Sequence, residues 1–390
     1  MDQTIKYAIG ILKAAITGEP GELPRGAAMK LLLQLFQNQS VVAMGYVGAV
    51  KSGLPEDTPP AIYLADLYCL EMVTSERQMA LFQQICDAFE NAGIEYMPVK
   101  GTIMKRLYPD HAMRKMTDAD ILIREEQYEK ICPIMQSLGF TEAMESDHEH
   151  IWMQEFLKVE LHKHLIPSYK KDLYCYFGTG WDLAKIQDGC RWAMTQEDAF
   201  IYNFIHFAKH YRDGEGHCRF VVDIWVHMRS YPDMDKTYIR SKLQQMKMEI
   251  FYDNIMHLIN CWFGDGQWDN RMEKITSILF CADGQDDKQR QSVAQNAQQA
   301  GSVKETQKLR RLRRIFPDRE HMDWSYPQWK KKPLVVAWCL RWWDLLVNRR
   351  DVLKKRAEEN TKVTEQEVEN YRKDLEYVGL QYADSVALPD

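Results

Sequence analysis

Between residues 94 and 165 the apolar residues leave the helical period that governs the chain on either side. Ile94 to Val99 is a short extended run after the turn at Asn91-Ala-Gly93, and Ile121-Leu-Ile123 is another, preceded by polar residues. Phe140–Met144, His150–Phe156 and Lys158–Leu165 carry the pattern of three further strands. Between them, Thr102–Tyr108 stops at Pro109 and Glu125–Leu138 stops at Gly139, as helices do. Short strands and helices set between long helical segments predict an α+β fold.

The flanks are helical. Ile5, Ile9, Leu12 and Ile16 share one face of a first helix, and Leu64–Phe89 repeats apolar residues at helical spacing. Gly/Pro-rich breaks at Gly18–Gly26 and Ser52–Pro60 separate the N-terminal helices. From about residue 181 the helical pattern returns, over Glu197–Tyr211, Phe220–Arg229, Lys236–Trp262 and Asn270–Cys281. Asp283–Ser302 has little apolar content and reads as a solvated linker. Lys304–Arg314 is basic, Leu334–Leu353 is a Trp-rich helix, and the tail is helical to about Tyr382. The expected organisation is a helical region at 1–90, an α+β core at 91–180, a helical region at 181–282, a linker at 283–303 and a basic, Trp-rich helical region at 304–390.

Composition narrows the function. The net charge of -6 excludes a chain that coats nucleic acid over its whole surface. Nine cysteines at irregular spacing, with no CxxC, argue against a disulfide framework or a cysteine-only zinc site. No apolar run is long enough to cross a membrane, and Asp2 and Lys13 argue against a signal peptide. A cytoplasmic protein with reduced thiols is expected. Lys304, Lys308, Arg310, Arg311, Arg313 and Arg314 read as a solvated helix face rather than a nucleic-acid patch, and Trp338, Trp342 and Trp343 as packing residues.

The chemistry lies in residues 99–162. Asp118 and Asp120 sit one residue apart at the mouth of an apolar strand, so both point to one face. Taken alone, Asp-x-Asp also fits a solvated strand start. Carboxylates so placed repel, and a cation relieves the repulsion; their hard oxygens suit Mg²⁺ or Mn²⁺. Lys100-Gly101-Thr102 lies between a strand and a helix, where backbone N–H groups, a hydroxyl and a point charge converge on a phosphate. Arg114 adds a forked donor. In Val159-Glu-Leu-His-Lys-His-Leu165, Glu160, His162 and His164 share one strand face. If that strand lies beside the Asp118 strand, Glu160 completes an acidic cluster, as metal ligand or as base. A zinc site on His162 and His164 lacks a third ligand of suitable spacing, which His148 or His150 supplies only by tertiary chance. His206 and His210, one helical turn apart, have metal-capable spacing but fit packing, or hydrogen bonding to Arg219 or Asp223, better; these residues also suit the lining of a cleft.

The string strand–Lys-Gly–helix–Tyr-Pro–Arg–x3–Asp-x-Asp–strand, then Gly139-Phe140 and Val-Glu-Leu-His, resembles the DNA polymerase beta-like nucleotidyltransferases. More narrowly it resembles an uncharacterised bacterial nucleotidyltransferase family within that superfamily. His206-Phe-Ala-Lys-His210, Arg219-Phe-Val-Val-Asp223, Ile315-Phe-Pro317 and Tyr326-Pro327 also resemble that family's later segments. The resemblance implies a small mixed sheet flanked by helices. It also implies transfer of a nucleoside monophosphate from an NTP such as ATP to a hydroxyl or phosphate acceptor, with Asp118, Asp120 and Glu160 holding the metal. Lys100, Gly101, Thr102 and Arg114 would hold phosphates. Gly101-Thr102 stands where the superfamily usually has Gly-Gly or Gly-Ser, and Glu160 where Asp is commoner. The competing expectation is a catalytically inactive module that keeps the fold to bind a nucleotide or a partner protein.

Overall fold

The computed structural model describes residues 2–146, 148–166, 171–280, 286–298, 315–317, 319, 322, 326, 329–347 and 363–380. Four helices come first: α1 (Gln3–Thr17), α2 (Ala27–Asn38), α3 (Val42–Lys51) and α4 (Pro59–Ala92). The two Gly/Pro-rich breaks fall at their ends. Gly18 caps α1 with φ 80, and Pro59 opens α4, where a missing N–H costs nothing.

Helix α1 buries Ala8, Ile11, Leu12 and Ala15, whereas Ile5 and Ile16 are only half-buried. The expected face does pack on the core, with Ile9 and Leu12 buried and Ile5 and Ile16 against the same cluster, and it is widened by Ala8, Ile11 and Ala15 because α3 crosses α1 at very short range. A Cβ on Gly48 would stand 2.0 Å from the Ile11 carbonyl oxygen. Gly48→Ala therefore forces the two helices apart, and the expected loss is about 1–3 kcal/mol. Urea unfolding reads it as a lower midpoint, and a wild-type midpoint would contradict this contact.

The α+β fold is as expected. Strand β1 (Tyr96–Val99) leads into α5 (Gly101–Met104) and a 3-10 turn, Lys105–Leu107. Strand β2 (Asp118–Ile123), α6 (Tyr128–Ser137), β3 (Thr141–Glu145), β4 (Glu149–Gln154) and β5 (Leu157–His162) follow. After α7 (Lys171–Phe177) come β6 (Ala184–Asp188) and β7 (Arg191–Met194). Among the described residues these strands form one mixed sheet in the order β3-β4-β5-β2-β1-β7-β6, with β2–β5 and β1–β7 parallel. The hairpin β6–β7 departs from the expected return to helix at residue 181. Its strands bury only Ala184 fully, so periodicity gave no signal; pairing with β1 creates it.

The two sheet faces differ in chemistry. Ala119, Ile121, Ile123, Val159 and Leu161 are fully buried against Phe82, Ile85 and Phe89 of α4 and Ile131 and Met135 of α6. The opposite face carries Asp118, Asp120, Lys158, Glu160 and His162, following the two-residue period of a strand.

Helices α8 (Gln196–Arg212), α9 (Cys218–Ser230), α10 (Lys236–Gln245), α11 (Glu249–Phe263) and α12 (Asn270–Phe280) follow the sheet. The single helix expected over Lys236–Trp262 is two, because the chain turns at Lys247, whose φ is 55. The expected linker contains α13 (Asp286–Ala297), whose Val293 and Ala297 are buried against Val363 and Val368. Its sparse apolar residues Val293 and Ala297 stand one turn apart, on the face that Val363 and Val368 cover. Helices α14 (Leu334–Val347) and α15 (Glu365–Val378) come last. Trp338 packs as expected, its indole N–H donating to the Pro317 carbonyl at 2.7 Å; Trp342 donates to the Ile315 carbonyl at 2.9 Å, and Trp343 is exposed. The basic cluster Lys304–Arg314 and Pro327 lie outside the described residues. Cys69, Cys86, Cys132, Cys190, Cys218, Cys261 and Cys339 are free thiols. No helix of the described residues is long and apolar enough to cross a membrane.

Candidate active site

The parallel pairing of β2 with β5 sets Asp118 opposite Lys158, Asp120 opposite Glu160 and Leu122 opposite His162. The three acids singled out from the sequence thus meet on one face. They form the floor of a cleft of about 560 Å³. Helix α8 contributes Tyr202, His206, Lys209 and His210 to its walls, and Arg219 and Phe220 come from α9.

Lysines neutralise the acids. Lys100 Nζ lies 2.6 Å from Asp120 Oδ1, and Lys158 pairs with Glu160 and stands 3.5 Å from Asp118 Oδ2. Asp120 is almost fully buried, whereas the Asp118 side chain is 33% exposed. Burial pushes the Asp120 carboxyl up, but the Lys100 charge and the His162 hydrogen bond outweigh it and hold the group far below the usual carboxylate range. Burial would likewise lower the Lys100 ammonium, and Asp120 raises it above its ordinary value. Lys100 has φ 48, a backbone conformation a non-glycine residue adopts at a cost of about 1–3 kcal/mol. That conformation ends β1 and aims the ammonium at Asp120.

The phosphate-binding expectations divide. Lys100 and Gly101 line the cleft. A Cβ on Gly101 would stand 3.1 Å from Arg114 Nη1 and 3.4 Å from Met116 Cγ, so the glycine lets the Arg114 loop close. Helix α5 has only one turn, so it supplies little of the dipole expected there. Thr102 is fully buried, and its hydroxyl donates to the Val99 carbonyl at 3.1 Å rather than facing the cleft. Arg114 borders the cleft, but its Nε and Nη2 donate to Asp223 Oδ1 and Oδ2, both at 3.1 Å. Tyr108 donates to the same carboxylate at 2.8 Å. Asp223 therefore lies behind Arg114 and ties the core to α9.

His206 and His210 face each other with Nε2 atoms 3.1 Å apart, and His210 Nδ1 lies 2.7 Å from Glu215 Oε2. Their partners are each other and Glu215, not Arg219 or Asp223. Arg219 instead donates to the Lys115 carbonyl at 3.0 Å. His164 lies beyond the end of β5. Lys158 and Glu149 were missed, and His148 was named only as a third ligand that tertiary chance would supply. Lys158 was legible, since it lies two residues before Glu160 on an alternating strand. His148 and Glu149 were not, because they reach the site only through the pairing of Glu149 with His162 across β4 and β5.

Desolvation disfavours the charged form of several histidines. Burial first, then neighbouring cations, lowers His148 to about 2, and burial lowers His227 to about 4. Burial also puts His206 well below its ordinary value. Below pH of about 6.5 the unfolded chain takes up protons that these groups refuse in the fold, so stability falls as pH falls. Urea unfolding at neutral and mildly acidic pH should show the loss, and His227→Gln should make it shallower by about one proton. A pH-independent midpoint would contradict this desolvation.

A mixed sheet with carboxylates on two parallel neighbours, beneath a helical wall bearing lysine, arginine and histidine, defines an α+β protein with a charged ligand cleft. Residues 26–264 match the family model described as uncharacterised nucleotidyltransferase, and the chain belongs to that family. No curated protein and no solved structure matches the chain.

Proposed function

We propose that this cleft is the active site of a cytoplasmic, divalent-metal-dependent nucleotidyltransferase with a polymerase beta-like core. It transfers a nucleoside monophosphate from an NTP to a hydroxyl or phosphate acceptor and releases pyrophosphate. The observation that carries the reading is the β2–β5 register, which sets Asp120 beside Glu160 with Asp118 on the same face. The donor set fits a hard cation: Asp118, Asp120 and Glu160 offer carboxylate oxygens, and two lysines already answer their demand for positive charge. Mg²⁺ or Mn²⁺ held by these acids would neutralise the triphosphate and the charge that develops on the transferring phosphoryl group.

The chain's own residues do the rest. Lys100, beside Gly101, presents an ammonium to the nucleotide phosphates once it is released from Asp120. Lys115, Lys209 and Arg219 add positive charge around the cleft. Arg114, held by Asp223, packs its Nη1 against Gly101 and so positions the turn that carries Lys100. Glu160, half-screened by Lys158, serves as metal ligand or as base toward the acceptor. Glu160→Gln separates these roles: a lost base keeps NTP affinity and loses turnover, whereas a lost ligand loses both.

One observation favours the second reading, a non-catalytic module that binds a nucleotide or a partner protein: Lys100 and Lys158 together pair with all three acids. Calorimetric titration of ATP, CTP, GTP and UTP, with Mg²⁺ or with chelator, distinguishes the two. The enzyme binds an NTP only with the cation and releases pyrophosphate. Equal binding in chelator, with no pyrophosphate from any acceptor, supports the module.

A further inference from the structure

We propose that His148, Glu149 and His162 form a second metal site, adjoining the Asp118–Asp120–Glu160 acids through the other ring nitrogen of His162, that takes a zinc-type divalent transition cation. The antiparallel pairing of β4 with β5 places Glu149 opposite His162, and His148 precedes Glu149. One ligand atom from each of the three lies within 4.8 Å of the others. All three border the cleft, which leaves a coordination position open to solvent or ligand.

The hydrogen bonding of His162 supplies an independent reason. Its side chain is 1% exposed, and its Nε2 lies 2.7 Å from Asp120 Oδ1. The Asp120 carboxylate accepts from Nε2, which leaves Nδ1 as the ring nitrogen that faces Glu149. That Nδ1 is buried without a hydrogen-bond partner, yet stands 3.3 Å from Glu149 Oε2. A metal cation between this nitrogen and the Glu149 carboxylate would satisfy both. Donor atoms around a tetrahedral zinc, with bonds of about 2.0–2.1 Å, stand about 3.3–3.4 Å apart. His148 Nδ1 is likewise buried without a hydrogen-bond partner, and its Nε2 is 3.8 Å from Glu149 Oε2.

Two imidazoles and one carboxylate suit a zinc-type ion, whereas Mg²⁺ prefers oxygen throughout. With the ion bound at Nδ1, the opposite N–H of His162 goes to Asp120, the usual support for a metal-bound histidine. His162 is then a positioning residue: the ion fixes its tautomer and, through it, the orientation of Asp120.

The test uses the full-length chain, stripped with chelator and titrated with Zn²⁺ alone. Co²⁺ serves as the spectroscopic probe, and circular dichroism as the control for folding. The expected result is about one equivalent of zinc and the intense visible absorption of four-coordinate Co²⁺. His148→Ala and Glu149→Gln should each weaken zinc binding at least roughly tenfold, while Asp118→Asn keeps it. Glu149→Gln nearly preserves shape, so it decides the matter if His148→Ala does not fold. Unchanged zinc affinity in a folded Glu149→Gln, equal loss in Asp118→Asn, or no zinc bound by the wild type would overturn the proposal. Mg²⁺-dependent NTP binding, measured on the same samples, keeps this result apart from the nucleotidyltransferase reading, since either can fail alone.

Discussion

Asp118→Asn and Asp120→Asn each lower pyrophosphate release by roughly 100-fold or more, because oriented charge at a transferring phosphoryl group contributes on that scale. The two variants differ in stability. Asp118 is partly exposed and meets Lys158 at 3.5 Å and the Thr117 hydroxyl at 3.2 Å, both near the surface, so its loss leaves folding nearly unchanged. Asp120 is the buried counter-ion of Lys100 and accepts from His162. Neutralising it strands a buried ammonium, and the expected cost is about 3 kcal/mol. The Asp120 carboxyl lies below its ordinary range in the fold, so its contribution is full above the unfolded value of about 3.9 and fades as pH falls toward the folded one. Thermal melting across pH checks both points. Wild-type turnover in both variants would remove the acids from the reaction, and wild-type melting in Asp120→Asn would show that Lys100 does not depend on it.

The largest loss of stability is expected at Asp223. Its carboxylate accepts two bonds from Arg114 and one from Tyr108, all buried, across a sequence separation of more than 100 residues. Asp223→Ala leaves the Arg114 guanidinium uncompensated next to Arg219, whose own charge burial and Arg114 already disfavour. The expected cost is about 3–5 kcal/mol. Arg114→Lys cannot rebuild the forked contact and should recover little. The double variant Arg114→Met with Asp223→Leu should regain much of the loss, since it removes both charges together. Urea unfolding of the single and double variants checks this. If the double variant is as unstable as the sum of the singles, the pair is not the connection between the core and α9. Activity should fall with stability at Asp223, because Arg114 shapes the turn that carries Lys100 and Gly101.

These two expectations mark where sequence reading succeeded and where it stopped. Asp118 and Asp120 were legible because a strand has a two-residue period, and that period alone puts both on one face. The same rule grouped Glu160 with His162 and set Val159 and Leu161 against them, as the sheet does. Helix ends at Gly18, Pro59 and Gly93 were legible because glycine and proline act through their own backbone, whatever packs nearby. The hairpin at residues 184–194 was not, because its side chains other than Ala184 are exposed or half-buried and it is held by pairing with β1 and by its own two strands. Nor was α13, whose few apolar residues acquire meaning only when α15 covers them.

By itself the sequence determined local matters: which residues are helical, where strands begin, and which acids share a face. Those follow from torsional preferences and from the fixed periods of helix and strand, which act over a few residues. The tertiary structure decided partners. It joined Asp120 to Glu160, turned Lys100 onto Asp120, gave Arg114 to Asp223 instead of leaving it free for a phosphate, and brought His148 and Glu149 to His162. Charges and lone pairs have no sequence period. They are satisfied by whichever group the folded chain brings within about 3 Å, and burial then makes that choice energetically decisive.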